Sequence, residues 1–174
     1  MIANNIPARF LLKKYCFQNW PDYSETLWEQ VYEKEMSKIK VTPSPIFGYE
    51  IDEYSVEMAK NSVDLIDKEN NVKILNQDFF HSQKPADKGV LVINPPYGER
   101  LSPQHISEFY EKIGDTLKKE YSGWDAWIVS ANVGALKKIG LRSSKKHTLY
   151  NGALECKFQK YSLFAGSLKK RGES

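Results

Sequence analysis

The chain has 174 residues, of which 41% are hydrophobic and 13% aromatic, and its formal net charge is +3. These values predict one globular domain, residues 1–174, and we expect no membrane-spanning helix, since no apolar run approaches the ~18 residues that one needs. Two distant cysteines, three scattered histidines and the lack of a signal peptide lead us to expect a cytoplasmic protein without disulfides or a metal site.

The first half of the sequence alternates between helical and strand patterns. In chain order, the pattern predicts a short helix followed by a second turn within 1–18, where Pro7 interrupts, a helix at 24–39, a strand at 46–52, a helix at 53–67 and a strand at 72–76. Asp22 and Glu25 have the spacing of a capping box for the second helix, and Asp52 is placed to cap the third. The strand at 46–52 is apolar and ends in acidic residues, so we expect it to be buried.

The second half continues the alternation and ends differently. The predicted elements are a strand at 90–93, a helix at 103–120, a strand at 126–130, a short helix at 133–139 and two strands within 145–164. The strand at 90–93 is entirely apolar, which predicts burial on both faces. Asn151-Gly152 is a strong hairpin signal. Together the elements predict an α/β fold, a doubly wound sheet with a C-terminal antiparallel hairpin.

A polar residue, two prolines and an aromatic residue follow the strand at 90–93, namely Asn94, Pro95, Pro96 and Tyr97. The prolines fix φ and cannot donate to a sheet, so the strand ends there and the next backbone is stiff. Asn94 offers a side-chain carbonyl and Pro95 a backbone carbonyl, and two such acceptors can take both hydrogens of a planar NH2 group. Tyr97 can stack on the ring that carries this amine. The pattern predicts a site that positions an amine for attack on an electrophile.

These residues carry a family resemblance. Asn-Pro-Pro-Tyr at a strand end is similar to the signature of class I methyltransferases that use S-adenosylmethionine (SAM) to methylate exocyclic amines or amides. The longer string from Asn94 to Leu101 and the segment 150–156, Tyr-Asn-Gly-Ala-Leu-Glu-Cys, resemble the large-subunit ribosomal RNA guanine-N2 methyltransferases, once labelled N6-adenine-specific DNA methylases. The resemblance implies a Rossmann-like methyltransferase sheet, SAM as cofactor, ribosomal RNA as partner and transfer of a methyl group to the N2 amine of guanine.

The resemblance also implies roles for individual residues. Asn94, Pro95, Pro96 and Tyr97 would form the catalytic loop, with Asn94 also beside the cofactor. The residues that would seat the SAM nucleoside are Glu50 at the ribose, Ile51 next to it, Asp78 at the adenine amine and Phe79 at the adenine ring. Glu99 and Arg100 would contact RNA or brace the loop. Glu50 has a second interpretation, a surface acid that the dipole of the following helix favours.

One expected motif is absent from the sequence. The family's first strand ends in an acidic, glycine-rich loop that binds the methionine part of SAM, whereas this sequence has no Gly-x-Gly and its first glycine is Gly48. We therefore expect the chain to be the C-terminal portion of a catalytic domain, with strand 1 upstream of Met1. Three alternatives stay open: an adenine-N6 nucleic-acid methyltransferase, a methyltransferase of protein glutamine amides, and a non-catalytic RNA-binding domain.

The basic residues are unevenly distributed. Ten of the 25 lysines and arginines lie in the last 40 residues, between Lys137 and Arg171. This concentration fits either a surface that meets phosphates or an ordinary solvated surface.

Overall fold

The computed structural model describes the chain except residues 9, 13, 42–43, 68–70, 97–101 and 165–174. The helices are α1 (Glu25–Met36), α2 (Glu53–Asp64), α3 (Pro103–Glu120) and α4 (Val133–Lys138), and the strands are β1 (Ile46–Glu50), β2 (Val72–Asn76), β3 (Val90–Ile93), β4 (Asp125–Ser130), β5 (Lys145–Asn151) and β6 (Leu154–Ser162). They fall into two compact units, residues 1–79 and 80–174. No helix in the described part of the chain is long and apolar enough to cross a membrane.

The first unit contains a parallel strand pair joined through a helix. β1 and β2 pair in register from Ile46 opposite Val72 to Glu50 opposite Asn76. The connecting helix α2 begins where the sequence predicts, because the Asp52 side chain accepts a hydrogen bond from the Ser55 amide at 2.8 Å. Parallel pairing brings the carboxyl ends of both strands to the same edge, which is where α/β sheets bind ligands.

The N-terminal segment differs from the prediction. Instead of a short helix followed by a second turn within 1–18, the described residues form two short 3₁₀ turns, Ile2–Asn4 and Cys16–Asn19. The rings of Tyr15 and Phe17 both pack against Trp28 of α1 at centroid distances of 5.0 Å. Aromatic packing therefore holds the segment where its apolar spacing had suggested a helix.

The cap of α1 also differs from the predicted one. Ser24, and not Asp22, is the N-cap, and its hydroxyl accepts a hydrogen bond from the Leu27 amide at 3.3 Å. Ser24 has the extended backbone that an N-cap requires, with φ −117° and ψ 114°. The predicted capping box was therefore wrong by two residues.

The second unit is a four-stranded mixed sheet in the order β3-β4-β6-β5. β3 and β4 are parallel, whereas β6 is antiparallel to both β4 and β5. Gly152, with φ +61°, forms the turn between the last two strands, so the predicted hairpin is confirmed. Mixed pairing of this kind follows from the chain itself, since a two-residue turn can join only antiparallel strands.

One face of this sheet forms the core of the second unit. Tyr110, on α3, is fully buried, and its hydroxyl lies 2.7 Å from that of Ser130 on β4. Ala126 and Ile128, on the same face of β4, have no exposed surface. Burial raises the pKa of Tyr161 to about 12, and the nearby Tyr110 adds to this shift. The buried hydroxyls are thus structural groups, kept neutral and hydrogen-bonded.

β3 does not have the predicted burial on both faces. Val90 and Val92 are 62% and 65% exposed, whereas Leu91 and Ile93 are half-buried. Leu91 pairs with Ala126, on the face that α3 covers, and Val92 pairs with Trp127 on the other face. The apolar pattern identified the strand correctly, but only one of its faces is covered.

Candidate active site

Glu50 ends β1 with its carboxylate held by the backbone that follows. Oε1 accepts hydrogen bonds from the amides of Ile51, at 2.8 Å, and Asp52, at 3.0 Å. Oε2 makes no hydrogen bond among the described residues, and the Glu50 side chain is exposed. One oxygen therefore fixes the carboxylate while the other can accept a hydrogen bond from a ligand, which suits the hydroxyl pair of a ribose.

Asn76 connects the ends of the two parallel strands. Its side-chain amide donates to the backbone carbonyls of Glu50, at 3.2 Å, and Ile51, at 2.9 Å. The Gln77 amide also donates to the Glu50 carbonyl, at 2.9 Å. Asn76 thus holds the backbone that carries Glu50, a role that sequence reasoning missed. The available signal was an asparagine at a strand end, a residue type that bonds neighbouring backbone groups.

Asp52, next to the site, acts as a helix cap, as the sequence predicts. Hydrogen bonds from the side chain and the backbone amide of Ser55 lower its pKa below the usual value for an aspartate. A charged Asp52 at the N-terminus of α2 also interacts favourably with the helix dipole. The carboxylate of Asp52 is therefore engaged as a helix cap, whereas Glu50 caps no helix.

Asp78 and Phe79 follow β2 in the same unit as Glu50. Both are half-buried, and Phe79 begins a short 3₁₀ turn, Phe79–His81. Ile51 is 68% exposed beside Glu50. Because Glu50 pairs with Asn76, the residues that follow both strands belong to one edge of the sheet. The predicted cofactor residues thus share one sheet edge, and their binding roles stay predictions.

Asn94 directly follows β3, in the second unit. Asn94 and Pro96 are exposed, Pro95 between them is buried, and the Asn94 amide makes no hydrogen bond among the described residues. Burial of Pro95 anchors the loop, so the Asn94 amide is presented to solvent from a stiff backbone. The other predicted loop residues, Tyr97, Glu99 and Arg100, lie outside the described residues.

No group of three or more His, Cys, Asp or Glu side chains among the residues described is placed to hold a metal ion. The chemistry that the described groups offer is hydrogen bonding: an acceptor carboxylate at the end of β1 and an exposed amide after β3.

Comparison with known proteins identifies the family. Residues 1–160 match the RMKL-like methyltransferase domain. The chain belongs to this family. A candidate RNA methyltransferase of Synechocystis sp. is 34% identical over 163 residues, which cover 92% of this chain and 42% of that protein. The ribosomal RNA large subunit methyltransferase K/L of Shewanella frigidimarina is 26% identical over 175 residues, covering 98% of this chain and 25% of that protein.

The fold of this RMKL-like domain also matches solved structures. SMU.472, a candidate methyltransferase solved in complex with SAH, superposes with a TM-score of 0.76 at 26% identity, over 88% of this chain and 41% of that one. The predicted Rossmann-like class I methyltransferase fold is thereby confirmed. The chain spans less than half the length of each of these three proteins.

Proposed function

We propose that the chain acts as one catalytic domain that transfers a methyl group from SAM to the exocyclic N2 amine of guanine in large-subunit ribosomal RNA, in the cytoplasm. The observation that carries the proposal is the exposed Asn94 amide, presented at the carboxyl end of β3 by a buried proline. The family and the rRNA methyltransferase name of a relative support RNA as the substrate class.

The end of β1 fits the nucleoside part of the cofactor. Glu50 has one carboxylate oxygen fixed by two amides and a second oxygen available for the ribose hydroxyls. Ile51 offers exposed apolar surface, and Asp78 and Phe79 follow the adjacent strand, where they would meet the adenine amine and ring. When bound, SAM supplies an electrophilic methyl group on a sulfonium. The residues of the chain would orient the cofactor, and the transfer requires no covalent bond between the protein and the methyl group.

The loop after β3 would act on the guanine. The Asn94 side-chain carbonyl and the Pro95 backbone carbonyl each accept one hydrogen of the amine, which keeps the nitrogen lone pair from delocalising into the ring. Pro96 stiffens the loop, and Tyr97 stacks on a base flipped out of its helix. Glu99 and Arg100 contact the RNA or brace this loop. Asn94 and Pro95 would hold the amine nitrogen for attack on the methyl group that bound SAM would supply, and the amine proton displaced on transfer would pass to solvent.

The test is Asn94→Ala in the protein that contains this domain. Loss of one preorganised acceptor should lower methyl transfer to large-subunit rRNA by about a hundredfold or more, as for removal of an oxyanion-hole group. Incorporation of labelled methyl groups, followed by mass analysis of the nucleosides, measures both the rate and the product. Asn61→Ala, on the exposed surface of α2, is the matched control and should keep the full rate.

Each outcome has a definite meaning. A loss below about fivefold for Asn94→Ala, against the expected hundredfold, would refute the role of Asn94. N6-methyladenosine as the product would keep the amine chemistry and refute guanine as the target. No transfer to any RNA by the unchanged protein would favour a non-catalytic RNA-binding domain.

A further inference from the structure

The positive charge of this protein is concentrated in one short segment. Residues 137–160 contain seven lysines and arginines and one acidic residue, Glu155, a net charge of +6. The whole chain has a net charge of +3, so the remainder carries −3. The segment consists of the end of α4, the loop that leads from α4 to β5, and most of the hairpin β5–β6. All of its residues are among those that the structure describes. A charge distribution this uneven creates a local positive potential that the overall charge hides.

Three of the seven basic side chains already have acidic partners. Lys160 lies 2.8 Å from Asp125, Lys157 lies 2.6 Å from Glu155, and Lys138 lies 3.4 Å from Glu111. These pairs neutralise three of the seven basic side chains. The basic groups left over are therefore the ones that can attract an outside anion.

Four basic side chains are left over, namely Lys137 on α4, Arg142 in the loop before β5, and Lys145 and Lys146 on β5. Arg142, Lys145 and Lys146 are exposed and form no ion pair among the described residues, although Lys145 is close enough to Asp125 to help lower its pKa. Lys145 stands directly opposite Lys160 in the sheet. Asp125 is the acidic group that both lysines share, so one carboxylate faces two cations.

The shape of the hairpin suits an extended partner. All seven residues of β5 are exposed, and the strand pairs only with β6 among the described strands. Seven residues of strand span about 20 Å, long enough to lie along several phosphates. The outer edge of such a strand also presents backbone amides, which bind phosphate oxygens. Tyr150, near the turn, is 70% exposed and can stack on an unpaired base.

We propose that Arg142 and β5, the basic edge, bind the phosphate backbone of the RNA that carries the target base. This inference rests on the proposed function, since it takes RNA as the substrate. Lysines on an edge strand can also serve only to prevent pairing with another sheet. The basic edge exceeds that need, because its three cations, Arg142, Lys145 and Lys146, equal the net charge of +3 of the whole chain and lie within one short stretch.

The test is the double variant Lys145→Gln, Lys146→Gln in the protein that contains this domain. Its affinity for a labelled fragment of large-subunit rRNA is measured by fluorescence anisotropy between about 50 and 200 mM salt. Loss of two phosphate contacts should weaken binding on the order of tenfold at the low-salt end. It should also reduce the slope of log affinity against log salt by about 1.4 to 1.8. Both lysines are exposed, so the thermal midpoint should stay unchanged.

The control removes the same charge elsewhere. Lys34→Gln, Lys60→Gln changes two exposed lysines of α1 and α2 and should leave the salt slope nearly unchanged. Equal effects of the two double variants would overturn the proposal, because they would reflect net charge alone. An unchanged RNA affinity with new self-association of the Lys145, Lys146 variant would overturn it in favour of edge protection. If polyglutamate binds as tightly as the RNA, and the Lys145, Lys146 variant loses the same affinity for both, RNA is overturned as the partner class.

The outcome is separable from that of the proposed function. If the unchanged protein methylates RNA but the salt slope does not respond to the Lys145, Lys146 variant, only the basic edge is refuted. If the slope falls as expected but no RNA is methylated, the basic edge stands and the catalytic assignment fails.

Discussion

Asn76 offers a direct test of how the cofactor edge is built. Its amide donates to the carbonyls of Glu50 and Ile51, so it holds the backbone from which the Glu50 carboxylate projects. Asn76→Ala removes both donors. Asn76→Asp keeps the size of the side chain but places a carboxylate against two carbonyl oxygens. We expect the aspartate variant to be the worse of the two.

The magnitude follows from the two hydrogen bonds. A neutral hydrogen bond contributes about 0.5–1.5 kcal/mol net, and the lower half of that range applies because Asn76 is exposed and water competes. Loss of both should therefore cost about 1–2 kcal/mol, and 1.4 kcal/mol is a factor of about ten in an equilibrium constant. For Asn76→Asp the repulsion adds to this loss, and protonation of the aspartate at low pH should remove part of it.

Two measurements test the reasoning. The amide of Gln77 donates to the same Glu50 carbonyl, so its hydrogen exchange should become roughly tenfold faster in Asn76→Ala and faster still in Asn76→Asp. SAM affinity of the protein that contains this domain should fall in the same order, since Asn76 acts through Glu50 as a positioning residue. Asn61→Ala should change neither. If the Gln77 amide exchanges as slowly in Asn76→Ala as in the unchanged protein, the two hydrogen bonds are not what holds this edge.

Two further predictions concern the second unit. Gly114→Ala should destabilise it by about 1–3 kcal/mol, because the added Cβ would lie 1.9 Å from the Ile139 carbonyl oxygen and force α3 and α4 apart. Urea denaturation measures this loss, and the control variant Gly134→Ala should not show it. Equal stability of the two variants would contradict the close packing at Gly114. Asp125→Asn should make stability less sensitive to acid. The hydrogen bond from Lys160 lowers the pKa of Asp125, so its contribution is complete above the ordinary pKa of about 3.9 and is lost as the pH falls through the lowered folded pKa. An acid transition as steep as that of the unchanged protein would contradict this second expectation.

Local chemistry was enough to predict the elements that prolines, caps and turns define. β3 has the predicted bounds because Pro95 and Pro96 cannot continue a ladder. The cap at Asp52 and the turn at Gly152 were also predicted correctly, since each depends on the residue's own side chain or φ. The cap of α1 was misplaced because several residues near 22–25 can accept a backbone hydrogen bond, and only their backbone angles decide between them.

The candidate site was predictable in its residue types and not in its internal contacts. An acid at the end of a strand identified Glu50. The side-chain conformation that brings Glu50 Oε1 to two backbone amides, however, depends on the loop that follows β1. Asn76, 26 residues further along the chain, holds that loop by a hydrogen bond. The identity of the accepting residue does not reveal a hydrogen bond to its backbone carbonyl, because every residue has such a carbonyl. Side chains that position others are therefore the part of a site that a motif does not reveal.

The prediction that both faces of β3 are buried was wrong for a related reason. The burial of a strand depends on the elements packed beside it, and its own sequence does not specify them. On the face that carries Val92, the ring of Trp127 stacks against Phe158 at 4.7 Å and against His147 at 5.8 Å, so these three side chains cover one another. β3 is the end strand of the order β3-β4-β6-β5, and on this face it carries the small side chains of Val90 and Val92. An apolar run predicts that both faces can be buried. The position of the strand in the sheet then decides whether both of them are.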